Sequence, residues 1–424
     1  MVTEAQRAQP NTHLVTQIKA HRDWPPVVVG SVYQTGLNLM RDLLRRGVRT
    51  VGIDFDPEHQ GFQSAYGESL LCPNPDTDPA AWVAFMIDLA YRLGAKPVII
   101  PAADIFVSAL GRHTDALREH YIFSLDSIAV QAALATKEQQ YALAREHNLP
   151  IPRSQYIQSR SDMERFASDA RFPCLIKPRH EREWSALPEG NKLRGQKLVT
   201  AETADDLLAD YALTEPYRPE VMAQEIIAGG DDAKFCYLSV YAKGSRRIGH
   251  CVVHEFRAHP MLFGSGSMVE PVIDEEIASL CDTFLRNIGY VGICEIEVKR
   301  DTRDGMVRLI EANPRFSVTA DSAVYAGVDI GWLHYLDLIG EVTESVRATR
   351  FGFRHIVLWR DLPVLSKYVA SGTLTWGDIL RSYRGPLEFF DFDWNDLGPT
   401  RKQLGSFLRY RLGLVLSRSG IKRP

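Results

Sequence analysis

The sequence predicts an α/β segment followed by an α+β segment, with a C-terminal stretch of a third character. Three observations carry this. Up to about residue 124, short apolar runs alternate with helix-length runs, as in a doubly wound parallel sheet. From about Leu125 strand-like runs succeed one another with turn signals between them, an antiparallel pattern. After Gly340 aromatic-rich runs take over, "FGFRHIVLWRDL" and "PLEFFDFDW". At 424 residues the chain has room for two or three domains, and the expected boundaries are 1–124, 125–345 and 346–424.

The elements follow in order. "PVVVG" is a buried strand, "LNLMRDLLRRG" a helix ending at Gly47, and "RTVGIDF" a second strand. "AAWVAFMIDLAYRLG" reads as a helix and "KPVIIP" as another strand. The turn from Gly30 to Gly36, with Asp54 ending the next strand, is distantly similar to a dinucleotide-binding turn. Val32 stands where the second glycine of G-x-G-x-x-G would let a pyrophosphate reach the backbone. A tight βα turn in a nucleotide-free domain is therefore the reading, and a Rossmann-type oxidoreductase is disfavoured. A helix opens at "ATKEQQYALAREHN", where Thr136 and Gln139 have capping-box spacing, and "LPIPR" breaks it. The strands "PCLIKP", "VMAQEII", "KFCYLSVYAKG" and "RIGHCVVHEFR" come next.

Composition removes several function classes. A formal net charge of -4 gives no basic field for nucleic acid. No apolar run is long enough to span a bilayer, and the polar N-terminus lacks the apolar segment of a signal peptide. The six cysteines are scattered, without a C-x-x-C pair, and read as buried thiols in a reducing cytoplasm.

The chemistry gathers around "GYVGICEIEVKRDTRDGMVRLIEANPR". Two alternating apolar runs flank "RDTRDG", and Asp304-Gly305 is a turn signal, so the stretch reads as a hairpin. With the turn centred near Arg303, Glu295 and Glu311 face each other with Cβ atoms about 5 Å apart. Two carboxylates that close repel by roughly 3 kcal/mol at an effective dielectric near 20, which calls for a cation. Asn313 projects to the same face as Glu311, while Glu297 shares the face of Glu295 and would replace it after a slip of register. Carboxylates and an amide oxygen are hard ligands suited to Mg²⁺, and Arg315 can hold a phosphate or carboxylate in two-pronged fashion. A solvated hairpin face with Arg315 pairing Glu311 is the alternative reading of the same residues.

No P-loop is present. Lys177 closes the strand "CLIK", Lys137 sits on the first turn of its helix, and "AQEIIAGGDD" offers backbone groups at Glu225 to Ile227 and an acid at Asp232. Each is weak alone. Their order is not: helix lysine, strand lysine, polar loop, Q-E-I-I-x-G, then E…E-x-N-P-R. In this order, over roughly residues 27–340, the sequence resembles the ATP-grasp superfamily.

The resemblance implies a pre-ATP-grasp α/β domain, then two α+β subdomains that clamp ATP, then the C-terminal extension. It implies an ADP-forming carboxylate–amine ligase working through an acyl-phosphate, with ATP and Mg²⁺ (or Mn²⁺) as cofactors. The substrates would be a small-molecule carboxylate and amine, an amino acid or cell-envelope intermediate, with D-aspartate ligase-like chemistry one specific case. Lys137 and Lys177 would bind the ATP phosphates, Glu225 and Ile227 the adenine, and Asp232 the ribose. Glu295, Glu311 and Asn313 would hold the metal, and Arg315 the transferring phosphate. Arg257, in "HEFRAHPMLFGSGSMVEP", would be a phosphate or substrate contact. The stretch after Lys177 departs from the family's glycine-rich loop, offering Arg179, His180, Arg182, Lys192 and Arg194 instead. A zinc site at His250, His254 and His259 lacks completing ligands.

From Arg401 to Pro424 there are seven basic residues and no acidic ones, interleaved with leucines and aromatics. A basic amphipathic helix can lie on an anionic membrane surface, so the setting is the cytoplasm or the inner face of the membrane; a helix packed on the protein is the alternative. A homodimer and a non-catalytic nucleotide-binding scaffold are also left open.

Overall fold

The structure, a computed structural model, describes residues 24–418 apart from 180–183, 218–219, 342–343 and 391; the side chains of 126 and 410–418 are likewise outside the described set. The chain forms two compact units. The first comprises residues 24–149, 230–298 and 311–418, the second residues 150–229 and 299–310.

The first unit opens with four strands, β1 (Val27–Gly30), β2 (Thr50–Asp54), β3 (Glu68–Leu71) and β4 (Val98–Pro101). Their order is β3-β2-β1-β4 and every pairing is parallel. All four residues of β1 are buried, which is why its run carries no polar break. Helices Gln34–Arg45 and Pro79–Leu93 make the crossovers. The second has an Asp78 cap on Ala81 N–H, proline at its first turn and left-handed Gly94 at its end.

After β1 the turn is closed from within. The Val32 N–H and the Ser31 hydroxyl both donate to Asp54 Oδ2 at 2.9 Å. A Cβ on Gly36 would lie 1.8 Å from the Ser31 carbonyl, so only glycine fits there.

In the second unit β5 (Ser154–Ile157), β6 (Cys174–Pro178), β7 (Val199–Ala201) and β8 (Val221–Glu225) form an antiparallel sheet in the order β5-β8-β6-β7. Phe166 and Leu207 of the helices Arg160–Asp169 and Ala204–Ala212 share its core with Ile176 and Val221. Trp184, Leu187 and Leu193 join that core, so the stretch after β6 is anchored.

The large sheet follows: β9 (Lys234–Ala242), β10 (Arg246–His259), β11 (Ser265–Val272), β12 (Gly292–Arg300), β13 (Val307–Asn313), β14 (Val346–Arg347), β15 (Arg354–Ile356) and β16 (Leu387–Phe389). Its order is β13-β12-β9-β10-β11-β15-β16, with β14 beside β10. The compact units divide after Leu149 rather than at 124, and not at 345, where β15 and β16 extend this same sheet. The outer ends of β12 and β13 belong to the second unit.

All six cysteines are buried free thiols. Among the described residues no helix is long and apolar enough to cross a membrane. The last helix, Leu397–Arg418, is tied down at its start: Lys402 pairs with Glu58 at 3.4 Å and the Phe407 ring lies 5.5 Å from Trp359. Leu404 and Leu408 stay exposed, and residues 419–424 lie outside the described set.

Candidate active site

The strand end in "LIEANPR" is built by its neighbours. Pro314 has no N–H to continue the ladder and holds Asn313 extended. The Arg315 N–H donates to the Asn313 carbonyl at 2.8 Å, a tight turn immediately after the strand. Gln140 grips β13 from the helix Lys137–Glu146: its Nε2 donates to Ala312 O at 2.7 Å and its Oε1 accepts from Ala312 N–H at 3.1 Å. Lys137 lies three residues earlier on that helix, on the same face. Its Nζ is 3.4 Å from Glu311 Oε1, and Glu311 raises the lysine pKa against the opposing effect of burial. Thr136 takes the N-cap position as expected, but there is no capping box: its hydroxyl donates back to Ala133 O at 3.3 Å.

Asn313 sits between two carboxylates. Its Nδ2 donates to Glu295 Oε2 at 3.2 Å and to Glu297 Oε1 at 3.3 Å. The hairpin thus sets both Glu295 and Glu297 beside Asn313, where the sequence reading paired Glu295 with Glu311 and kept Glu297 in reserve. Burial raises the Glu295 pKa, opposed by the Thr319 hydroxyl, which donates to Glu295 Oε1, and by Arg315. Glu297 is pushed up to about 8, by burial first and then by Glu295, with Lys234 opposing. Lys234 is committed to Glu255 at 2.7 Å and to Gly264 O at 2.9 Å. Arg315 reaches Asp104 (Nε to Oδ1, 2.6 Å) and Asn313 Oδ1 (3.4 Å).

Asp104, Glu295, Glu297, Glu311, Asn313, Arg315 and Thr319 line one cleft of about 290 Å³ within the first unit, together with Tyr33, Thr35, Glu255 and Arg360. Two crowded carboxylates with only amide hydrogens between them fit a hard divalent cation. No set of three His, Cys, Asp or Glu side chains converges among the described residues.

Other expected site residues lie elsewhere. Lys177 ends β6 in the second unit, its Nζ 3.2 Å from Gln224 Oε1. In that unit the buried Glu225 carboxylate accepts from Arg171 N–H at 2.9 Å, and Ile227 is buried two residues beyond. Asp232, in the first unit, is exposed on a short 3₁₀ turn, and its carbonyl lies 2.6 Å from His254 Nε2. Arg179 pairs with Glu220 at 2.8 Å and Lys192 with Asp210 at 2.6 Å, while His180 and Arg182 lie outside the described residues.

The reading of Arg257 as a phosphate or substrate contact is corrected. Its side chain is buried and its donors are used inside the protein, by both oxygens of Asp361 at 2.8 Å and by Ser382 Oγ at 2.8 Å. The groups missed from sequence are Gln140, Thr319, Asp104 and the Lys234–Glu255 pair. Only Gln140 carried a signal, its i, i+3 spacing from Lys137.

No family model matches the chain. Over 260 residues it is 25% identical to D-aspartate ligase from Enterococcus faecium (strain Aus0004), a match covering 58% of this chain and 60% of that enzyme. The chain thus spans less than two thirds of that relative's length. Among solved structures it is similar to the biotin carboxylase domain of Hydrogenobacter thermophilus 2-oxoglutarate carboxylase, a dimer with MgADP, ADP and bicarbonate. The TM-score is 0.58 at 17% identity, covering 79% of this chain and 74% of that one. N5-carboxyaminoimidazole synthetase from Staphylococcus aureus with ADP gives 0.58 at 14%, covering 82% and 86%.

The chain has the ATP-grasp fold.

L-amino acid ligase from Bacillus licheniformis shares it, with a TM-score of 0.54 at 14% identity over 75% of this chain and 76% of that one. The N-terminal parallel sheet and the two antiparallel sheets are the parts expected of an ATP-grasp protein.

Proposed function

We propose that this ATP-grasp protein is an ADP-forming ligase that joins a small-molecule carboxylate to an amine through an acyl-phosphate. One observation carries the reading: Glu295, Glu297, Glu311, Asn313 and Arg315 meet at one strand end, in one cleft, and Lys137 pairs with Glu311 there. The D-aspartate ligase likeness favours an amino acid as one substrate.

Phosphoryl transfer to a carboxylate asks the protein for positioning and charge neutralisation more than for covalent help. Glu295, Glu311 and Asn313, with Glu297 beside them, would hold Mg²⁺, which when bound screens the charge of the ATP phosphates. Asn313 would turn its Oδ1 inward to do so, a rotation of an amide whose two ends differ little in shape. Lys137 neutralises Glu311 and phosphate oxygens. Arg315 exchanges Asp104 for the transferring phosphate, keeping two parallel hydrogen bonds. In the second unit Lys177 would serve the phosphates and the Glu225–Ile227 segment the adenine, with the Ile227 backbone as the recognising group; Asp232 would serve the ribose.

The test is incubation with Mg-ATP and pooled amino acids, with released nucleotide separated by chromatography. ADP formed only with particular pools supports the ligase. AMP would mean adenylate chemistry and would overturn the acyl-phosphate route. Glu311→Gln is expected to lose Mg²⁺-dependent turnover while remaining folded, and undiminished turnover in that variant removes the metal assignment.

A further inference from the structure

Residues 226–229 leave β8 as irregular chain, yet their carbonyls are almost all taken, and by one neighbour. That neighbour is the turn between β12 and β13, which belongs with them to the second unit. The Ile226 carbonyl accepts from Arg303 Nη2 at 3.1 Å, the Ala228 carbonyl from the Thr302 N–H at 3.3 Å, and the Gly229 carbonyl from Lys299 Nζ at 2.6 Å. The Ile226 N–H is used as well, on the Pro173 carbonyl at 3.0 Å. Of the four carbonyls only that of Ile227 has no hydrogen-bond partner among the described residues.

Arg303 is fixed for this contact from behind. Its Nε donates to Asp301 Oδ1 at 2.9 Å and its Nη2 to Asp301 Oδ2 at 2.6 Å. Asp301 is fully buried, and its Oδ1 also accepts the Arg303 N–H at 3.0 Å. Nη2 carries two hydrogens, so one can meet the carboxylate while the other meets the Ile226 carbonyl. A guanidinium already held flat by a carboxylate loses little further freedom in making that second bond.

The pattern of used and unused acceptors has a chemical consequence. A 6-aminopurine offers an N–H at its 6-position, which needs a carbonyl; a 6-oxopurine offers an oxygen there, which a carbonyl repels. A stretch with one open carbonyl accepts the amino group in one place, whereas two open carbonyls side by side would tolerate several placements. We infer that Arg303 is a positioning residue for base selection: by occupying the Ile226 carbonyl it leaves the Ile227 carbonyl as the acceptor for the exocyclic amino group and holds that acceptor in place. The inference rests on the adenine role proposed for this segment. It assigns the preference for a 6-aminopurine to the turn of the hairpin, which itself does not touch the base.

The experiment is calorimetry on the full chain with Mg-ATP and with the magnesium salt of inosine triphosphate, whose base carries oxygen in place of the amino group. Urea unfolding of each variant runs alongside. Wild type should prefer ATP by roughly 10-fold or more, since a site built to receive a hydrogen bond rejects the analogue that lacks it. Arg303→Met should cut that preference roughly 3- to 10-fold, the range of one hydrogen bond, by weakening ATP while inosine triphosphate changes little. Asp301 keeps Arg308 as a partner at 3.2 Å in that variant. Arg303→Lys, which retains a donor but not the fork, should fall between the two, and it carries the comparison if the methionine variant does not fold. A merely structural role would weaken both nucleotides alike, so an unchanged preference in the variants overturns the inference. Equal affinity of wild type for the two nucleotides overturns it too, and leaves nucleotide binding by this segment standing. Failure of wild type to bind either nucleotide would remove the adenine assignment and this inference with it.

Discussion

Arg257 and Asp361 face each other with two parallel hydrogen bonds, Nε to Oδ1 and Nη2 to Oδ2, both at 2.8 Å, and neither side chain is open to solvent. They join β10 to the helix Leu358–Ala370, so the pair fastens the C-terminal segment to the large sheet. Ser267 also donates to Asp361 Oδ1 at 2.8 Å, and Tyr383 donates to Oδ2. Removing one partner of a buried pair leaves the other charge uncompensated, which costs about 3–5 kcal/mol. Arg257→Gln should therefore lower stability to urea by that amount and leave Mg-ATP affinity per folded molecule unchanged. A large loss of affinity with little loss of stability would return Arg257 to the substrate site.

Glu297 gives the metal-free protein a pH dependence of known sign. Its carboxyl titrates near pH 8 in the folded state, against an ordinary value of 4.5. Between those values the folded chain holds a proton that the unfolded chain has lost, so stability falls as pH rises through this window, by at most about 1.4 kcal/mol per pH unit from this group. Above about pH 8 the contribution levels off. Glu297→Gln should be more stable than wild type at pH 7 by about 1–3 kcal/mol in chelator, with the advantage shrinking toward pH 5. Because a bound cation displaces that proton, Mg²⁺ affinity in wild type should climb with pH up to about 8. Urea unfolding of the two proteins at several pH values measures the first claim and calorimetry the second; a pH-independent difference would remove Glu297 as its source.

Gln140 positions the strand end without belonging to the proposed ligand set. Its amide satisfies both backbone groups of Ala312, the residue between Glu311 and Asn313. Gln140→Leu leaves two buried backbone groups without that partner, at about 1–3 kcal/mol each. The expected result is a less stable protein whose Mg²⁺ affinity falls roughly 10-fold or more, as for groups that orient metal ligands. Stability loss with unaltered Mg²⁺ affinity would confine Gln140 to a structural role.

The parallel sheet was legible because its strands are buried on both faces and read as unbroken apolar runs, as at Val27 to Gly30. The hairpin was legible because Asp304-Gly305 marks its turn and Pro314 its end; β12 stops at Arg300 and β13 starts at Val307, as a turn centred near Arg303 requires. That both Glu295 and Glu297 stand beside Asn313 was not legible, since a two-residue slip of register exchanges the two on one face and the sequence holds no device that fixes it. Arg257 misled for a different reason. Its partner Asp361 is 104 residues away, and an arginine in a strand near a site looks alike whether it serves a ligand or a buried aspartate. Arg360 and Asp104 enter the cleft from segments far apart in sequence, a convergence that only the fold reveals.

The C-terminal helix yields a last prediction. Lys402 and Phe407 bind its first turns to the first unit, through Glu58 and Trp359, so this part is packed on the protein. Beyond it, residues 410–424 add Arg411, Arg418, Lys422 and Arg423 with no acid to balance them. Clustered basic charge of this kind is drawn to an anionic surface by roughly 1 kcal/mol per residue at low ionic strength. Deleting 410–424 should reduce sedimentation with vesicles containing phosphatidylserine and leave urea stability nearly unchanged. Deleting 397–424 should lower stability as well, because Lys402 and Phe407 go with it. For the full chain, vesicle binding should fade as salt rises, since charges more than about 8 Å apart are screened at physiological ionic strength. Vesicle binding that survives high salt would mean that the exposed Leu404 and Leu408 hold the membrane instead, and equal binding by the shorter truncation would show that the basic residues past 409 take no part.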